Sequence, residues 1–134
     1  MDNIERRLLG HIGVDSARVI VCDPHYLVEQ RIYERHQERE EASLAADNAA
    51  RDRRADPNRW DAETLRAMTE AWPVSYRIPY LLGHEGAAIV VHSGVGDGFY
   101  PVYGTFADVE GMGRRLMRLE VDFSDHPMLE KPAL

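Results

Sequence analysis

The sharpest hydrophobic pattern in the chain lies near its end. Met117, Leu119, Val121 and Phe123 alternate with Arg118, Glu120 and Asp122, which predicts an antiparallel strand with one face buried and one wet. Upstream, Ala87–His92 and Phe99–Phe106 are apolar, aromatic and β-branched runs separated by Ser93-Gly94-Val95-Gly96-Asp97-Gly98. Asp-Gly between two such runs predicts a hairpin, with Gly98 at positive φ. Pro101 implies a bulge or a missing ladder bond on the return strand, and Glu110–Gly113 reads as the next turn.

The first half has more helical signals. Ile4, Leu8 and Leu9 suggest a short helix over residues 1–10, and Gly13–Ser16 reads as a turn. Ala17–Cys22 is apolar at successive positions, as in a strand covered on both faces. Asp23 suits a helix cap, with Pro24 at the first helical position. Residues 26–50 read as one long helix whose apolar stripe fails between Glu34 and Ser43. The charged 51–59 stretch, with Asp56-Pro57-Asn58, reads as a linker. Asp61 caps a helix through Ala71 that carries Leu65, Met68 and Trp72. Residues 74–82 are extended and broken at Pro79, which favours an edge. The two prolines after Ser124 predict a loose tail over 124–134. The sum is an α+β fold: a mostly antiparallel C-terminal meander, joined by an N-terminal strand, with helices from the middle. At 134 residues the expectation is a single domain, with 26–72 as its helical elaboration.

Composition adds limits. The net charge of −7 argues against general attraction to nucleic acid or to an anionic membrane. No run approaches the ~20 apolar residues of a membrane span, and the first residues form no signal peptide. A single cysteine, Cys22, rules out intrachain disulfides and multi-cysteine metal sites. The expected location is the cytoplasm.

Each stricter chemical template fails at a named position. Gly94, Gly96 and Gly98 lack the spacing and following helix of a dinucleotide loop, and there is no Gly-Lys-Ser/Thr for a phosphate loop. His92 and Ser93 are adjacent on a predicted strand, so their side chains face opposite ways. His84-Glu85 begins a zinc-protease motif, but position 88 is Ala. No metal and no cofactor is expected. Asp23 beside Cys22 disfavours a reactive thiolate. Asp23 and Asp97 are candidate acid–base carboxylates, for which capping and turn roles are the simpler reading. Arg51, Arg53 and Arg54 are interleaved with acids, as on a solvated face.

Gly13-Val14-Asp15-Ser16, Cys22-Asp23-Pro24-His25-Tyr26, Leu82-Gly83-His84-Glu85-Gly86 and Ser93–Tyr103 together resemble a family of small bacterial, archaeal and phage proteins of unknown function. Its members pair a GVDSG…CDPCY opening with GHPG…SSGYGDGVYPVYA. The chain is also similar, more distantly, to the DUF4241 group. The resemblance covers residues 12–27 and 81–123. His25 stands where members commonly carry a second cysteine, and residues 28–75 differ in length and character. A shared fold and a patch of shared surface are implied, and no activity.

The best reading is a non-catalytic module that binds a protein or small ligand near the 93–103 hairpin and the 22–26 turn. Asp23, His25, Tyr26, Asp97 and Tyr100 are expected to share a surface, with the two carboxylates within about 12 Å. One alternative is a hydrolase using Asp23 and Asp97 with His25 or His84. Another is an oligomeric scaffold paired through the 26–50 helix, which leaves a homo-oligomer open. A deep polar cleft favours the enzyme, and a flat aromatic surface favours the binding module.

Overall fold

A computed structural model describes residues 1–53, 61–84 and 86–129. The predicted linker at 51–59 lies outside them from Arg54 onward, as do Glu85 and the last five residues. The elements run β1 (Asp2–Val14), β2 (Arg18–Cys22), α1 (Pro24–Glu29), α2 (Ile32–Asp52), α3 (Ala62–Ala71), β3 (Ser75–Ile78), β4 (Ala88–His92), β5 (Gly98–Val109) and β6 (Gly113–Val121). The class is α+β, with a three-stranded sheet in each of two compact units. One unit comprises Met1–Arg18 and Ser93–Leu134, the other Val19–His92.

The first unit is the sheet β1-β5-β6, antiparallel throughout. The N-terminal segment read as a helix is therefore a 13-residue strand. Ile4, Leu8 and Leu9 fit a helix face, but the irregularity at Leu9 puts Leu8, opposite Tyr103, and Ile12, opposite Tyr100, on different faces of the strand. Gly10 and Gly13 weaken a helix, and β5 supplies a ladder partner along almost the whole segment. Leu9 is the extra residue of an irregularity between Leu8 and Gly10, opposite Val102 and Tyr103. The break expected at Pro101 thus falls beside it and on the partner strand.

The expected 87–106 hairpin does not form. β4 pairs within the second unit and β5 within the first, so residues 93–97 are a crossover between sheets. Gly98 has no positive φ either; Gly94 (75°) and Gly96 (121°) do. The true hairpin is β5–β6, turned at Gly111 and Gly113 with φ of 76° and 78° and closed by the Met112 N–H donating to Val109 O at 2.9 Å. The face expected to be buried on and after β6 is covered only at its end: Val121 and Phe123 are partly buried, while Met117 and Leu119 are exposed. A register shift after Thr105 leaves Met117 without a partner and places Leu116 opposite Phe106 and Leu119 opposite Gly104. Those two leucines therefore share one face, where both stay about half exposed.

The second unit holds the sheet β2-β4-β3, with β3 antiparallel to β4 and at the edge, as the proline after it suggests. Its core is Ile32, Ile78, Ala87, Ala88 and Val90, with Ile20, Cys22, Tyr26, Tyr76 and Tyr80 packed against it. Asp23 caps α1 through its side chain, which accepts the His25 N–H at 2.8 Å, and Pro24 opens the helix. The single helix expected over 26–50 is two. Arg31 adopts the left-handed conformation (φ 52°, ψ 46°), and the buried Gln30 beside it spends its side-chain oxygen on the Leu81 N–H at 2.8 Å.

α2 has little apolar surface to bury, and polar side chains tie it down instead. Its residues Ile32, Ser43, Asp47 and Ala50 are buried. Asp47 accepts from the Arg51 Nε (3.1 Å) and from the Trp72 indole N–H (3.2 Å), linking α2 to the end of α3. α3 is capped by Asp61, whose carboxylate accepts the Thr64 N–H at 2.7 Å. No helix among the described residues is long and apolar enough to cross a membrane.

Candidate functional site

Two of the sequence-predicted residues lie in the first unit, and both are engaged in holding the crossover loop. Asp97 is exposed, but one carboxylate oxygen accepts the Ala17 N–H at 3.0 Å. That bond secures Ala17, which sits at φ 58° and whose carbonyl in turn accepts the Ser93 N–H at 3.1 Å. Tyr100 is fully buried, and its hydroxyl donates to Gly96 O at 2.7 Å. The buried Ser93 hydroxyl donates to the same carbonyl, which takes it out of contention as an exposed nucleophile. Residues 124–129, read as the start of a loose tail, place the His126 ring against Tyr100 and its Nε2 3.1 Å from Asp97 O.

Asp23, His25 and Tyr26 lie together in the second unit, and there the structure builds a surface. The short helix α1 carries His25 paired with Glu29, one turn apart, and Tyr26 pointing toward the sheet. The loop after β3 folds over beside it. Within that loop the Tyr80 N–H donates to His84 O at 2.7 Å, and the Gly83 N–H to Tyr80 O at 3.4 Å. The Gln30 bond to Leu81 fastens the loop to the end of α1, and Arg35 on α2 donates to Pro79 O at 2.6 Å.

The closed loop aligns four rings. Tyr80 and His84 stack at 4.5 Å and 16°; Tyr26 meets Tyr80 at 5.4 Å and His84 at 6.4 Å; His25 meets Tyr26 at 6.4 Å. Offset and tilted contacts at these distances are the favourable ones for aromatic rings. The His84 Nδ1 accepts the Gly86 N–H at 3.1 Å, so the neutral ring carries its proton on Nε2, facing away from that bond. Tyr26 and Tyr80 are half-buried against the core, while His25 and His84 are exposed. Next to the rings, Leu81 and Leu82 stand out into solvent at 59% and 86% exposure, and Val28 on α1 does so at 82%.

The row is continuous from His25 to His84, with only Tyr80 and His84 near parallel and the other pairs tilted by 40–52°, and the acidic groups Asp23 and Glu29 belong to the cap and the end of α1. Among the described residues no three His, Cys, Asp or Glu side chains converge to hold a metal ion. Sequence reasoning picked out the α1 end of this surface, and His84 within the hydrolase alternative, but missed Tyr80, Leu81 and Leu82. Their signal was available as Pro79-Tyr80-Leu81-Leu82-Gly83, two adjacent large apolar residues at a chain break where burial of both is unfavourable to arrange.

Against models of known families, residues 5–128 match one described as a protein of unknown function, DUF4241. The chain belongs to the DUF4241 family. No curated protein and no solved structure matches it. For this DUF4241 protein the α1 surface and the crossover loop both fall inside the matched span, so the family assignment takes in both sets of candidate residues.

Proposed function

We propose that this protein is a cytoplasmic binding module that docks a protein partner on the surface formed by α1 and the 79–84 loop. The carrying observation is the loop itself. Hydrogen bonds to Gln30 and Arg35, and others internal to the loop, hold it in a form that exposes Leu81 and Leu82 beside a stacked aromatic row. Exposed apolar side chains set in a polar rim on a rigid support are the usual form of an interaction hot spot. Rigidity reduces the ordering cost of association. Asp23 and Glu29 on the rim, in a chain of net charge −7, favour a partner segment with an aliphatic or aromatic anchor and a neighbouring Lys or Arg.

A peptide-display selection on the intact protein, counter-selected on Leu82→Asp, tests this reading. Selected peptides should combine an apolar anchor with basic residues, and Leu82→Asp should weaken the best of them by about tenfold or more. Because Leu82 is 86% exposed, that substitution should leave folding stability within about 0.5 kcal/mol. Failure to enrich any peptide, or equal affinity for the variant, would contradict the proposal.

A further inference from the structure

A second feature of the same unit lies on the other side of the Arg35 bond. Between α2 and β3 runs a cleft of about 270 Å³ whose lining includes Arg35, Arg39 and Arg77 against one carboxylate, Glu38. Arg35 and Arg39 bring two guanidinium groups to the cleft from α2 in a chain of net charge −7, while Arg77 lies on β3 between Tyr76 and Ile78 and so faces the other side of that strand. Arg35 and Arg39 are one helical turn apart, a spacing at which like charges destabilise a helix. Arg35 is already oriented, donating through Nη1 to Gln30 O at 3.3 Å and through Nη2 to Pro79 O at 2.6 Å, which leaves further N–H donors on the same planar fork. Arg39 makes no ion pair among the described residues and lies over the Tyr76 ring at 5.3 Å. Tyr76 is fixed in turn: its hydroxyl meets the His36 Nδ1 at 2.5 Å, and the two rings stack at 6.2 Å and 13°. Ile78 and Pro79 complete an apolar wall.

We infer that this cleft binds a small organic anion, a carboxylate or phosphate monoester carried on a flat apolar body. The guanidinium fork matches either anion in bidentate fashion. Tyr76 and the Ile78–Pro79 wall accept the body, in the combination of apolar lining and few polar groups that small-molecule sites share. An anion held between Arg35 and Arg39 also relieves their mutual repulsion, so the intrahelical conflict becomes favourable only when the cleft is filled. The cleft shares Arg35 and Pro79 with the support of the docking loop, but none of the exposed side chains Leu81, Leu82 and Val28 that the docking surface presents lines it.

The test is titration of the full chain with phenyl phosphate and with benzoate at constant ionic strength, followed by calorimetry and by the Tyr76 and arginine side-chain NMR signals. At least one probe should saturate at millimolar concentration or below, and the tighter of the two identifies the anion class. Arg39→Gln should weaken binding by about tenfold or more, Arg39→Lys should restore only part of it, and Leu82→Asp should leave it unchanged. Among the described residues Arg39 makes no hydrogen bond that holds the fold, so the folded state of Arg39→Gln is checked by its unchanged CD spectrum and melting temperature. If neither probe saturates, or if folded Arg39→Gln binds as tightly as the natural protein, the inference is overturned.

Discussion

Several carboxylates in this molecule link elements that are distant in sequence by accepting hydrogen bonds, as Asp47 does from Trp72 and Asp108 from Asn3. Asp47 is the clearest case: the Arg51 side chain first, and the Trp72 indole N–H second, hold its carboxyl below the usual carboxylate range. A group whose folded pKa is depressed contributes stability that is fully present above its unfolded value, near 3.8, and lost as pH falls through the lower folded value. Asp108, lowered by the Asn3 amide and then by Arg114, acts in the same direction. Denaturation midpoints should therefore fall from pH 7 to pH 3, and Asp47→Asn should reduce that fall without abolishing it; an unchanged pH profile in the variant would show that the α2–α3 link is energetically idle. Glycines in the crossover make a second residue-scale test. Gly94 sits at φ 75°, so Gly94→Ala should cost on the order of 1 kcal/mol and Gly94→Asn less, since Asn tolerates that region. At Gly98 the backbone is ordinary, but an added Cβ would stand 3.0 Å from both the Tyr100 ring and His126. Gly98→Ala should therefore destabilise by about 1–3 kcal/mol through crowding. Equal stability of all three variants in urea would remove both arguments.

Among the elements, α2 shows how a helix persists with a weak apolar stripe. Ile32 is its one large buried apolar anchor, and elsewhere Arg35, His36 and Asp47 bond across to neighbouring elements. Ile32→Ala should cost roughly 2–5 kcal/mol in chemical denaturation, while Val28→Ala, at an 82% exposed position, should cost under about 0.5 kcal/mol. Comparable losses would mean that the core is not centred where Ile32 lies. The N-terminal caps of α1 and α3, and the end of α3, were legible in the sequence because Asp23-Pro24, Asp61 and Pro73 act locally. The break at Arg31 was not, since it depends on Gln30 finding a partner fifty-one residues away in Leu81. β1 was misread because Ile4, Leu8 and Leu9 also fit a helix face, and what decides for a strand is its pairing with β5, which is remote in sequence. The 93–98 crossover was misread because turn chemistry shows that the chain bends and not which strand it pairs with next.

For the molecule as a whole, the sequence segment Val19–His92 forms a unit with its own sheet and core, and the two ends of the chain build the other unit. The residues singled out for a common site divide accordingly: Asp23, His25 and Tyr26 belong to one unit, and Asp97 and Tyr100 to the other. The sequence pointed to the polar and aromatic residues of the matched motifs. It could not show that Tyr100 is buried while Tyr26 joins Tyr80 and His84 at the surface, because burial is set by packing. The proposed partner docks on that aromatic row and not on the crossover loop. The six tyrosines allow a direct measurement: label the protein with 3-fluorotyrosine and follow the ¹⁹F NMR spectrum as a selected peptide is added. Tyr26 and Tyr80 should shift progressively to saturation while Tyr100 and Tyr103 stay in place. Saturating shifts at Tyr100 or Tyr103, with Tyr26 and Tyr80 unmoved, would contradict the claim.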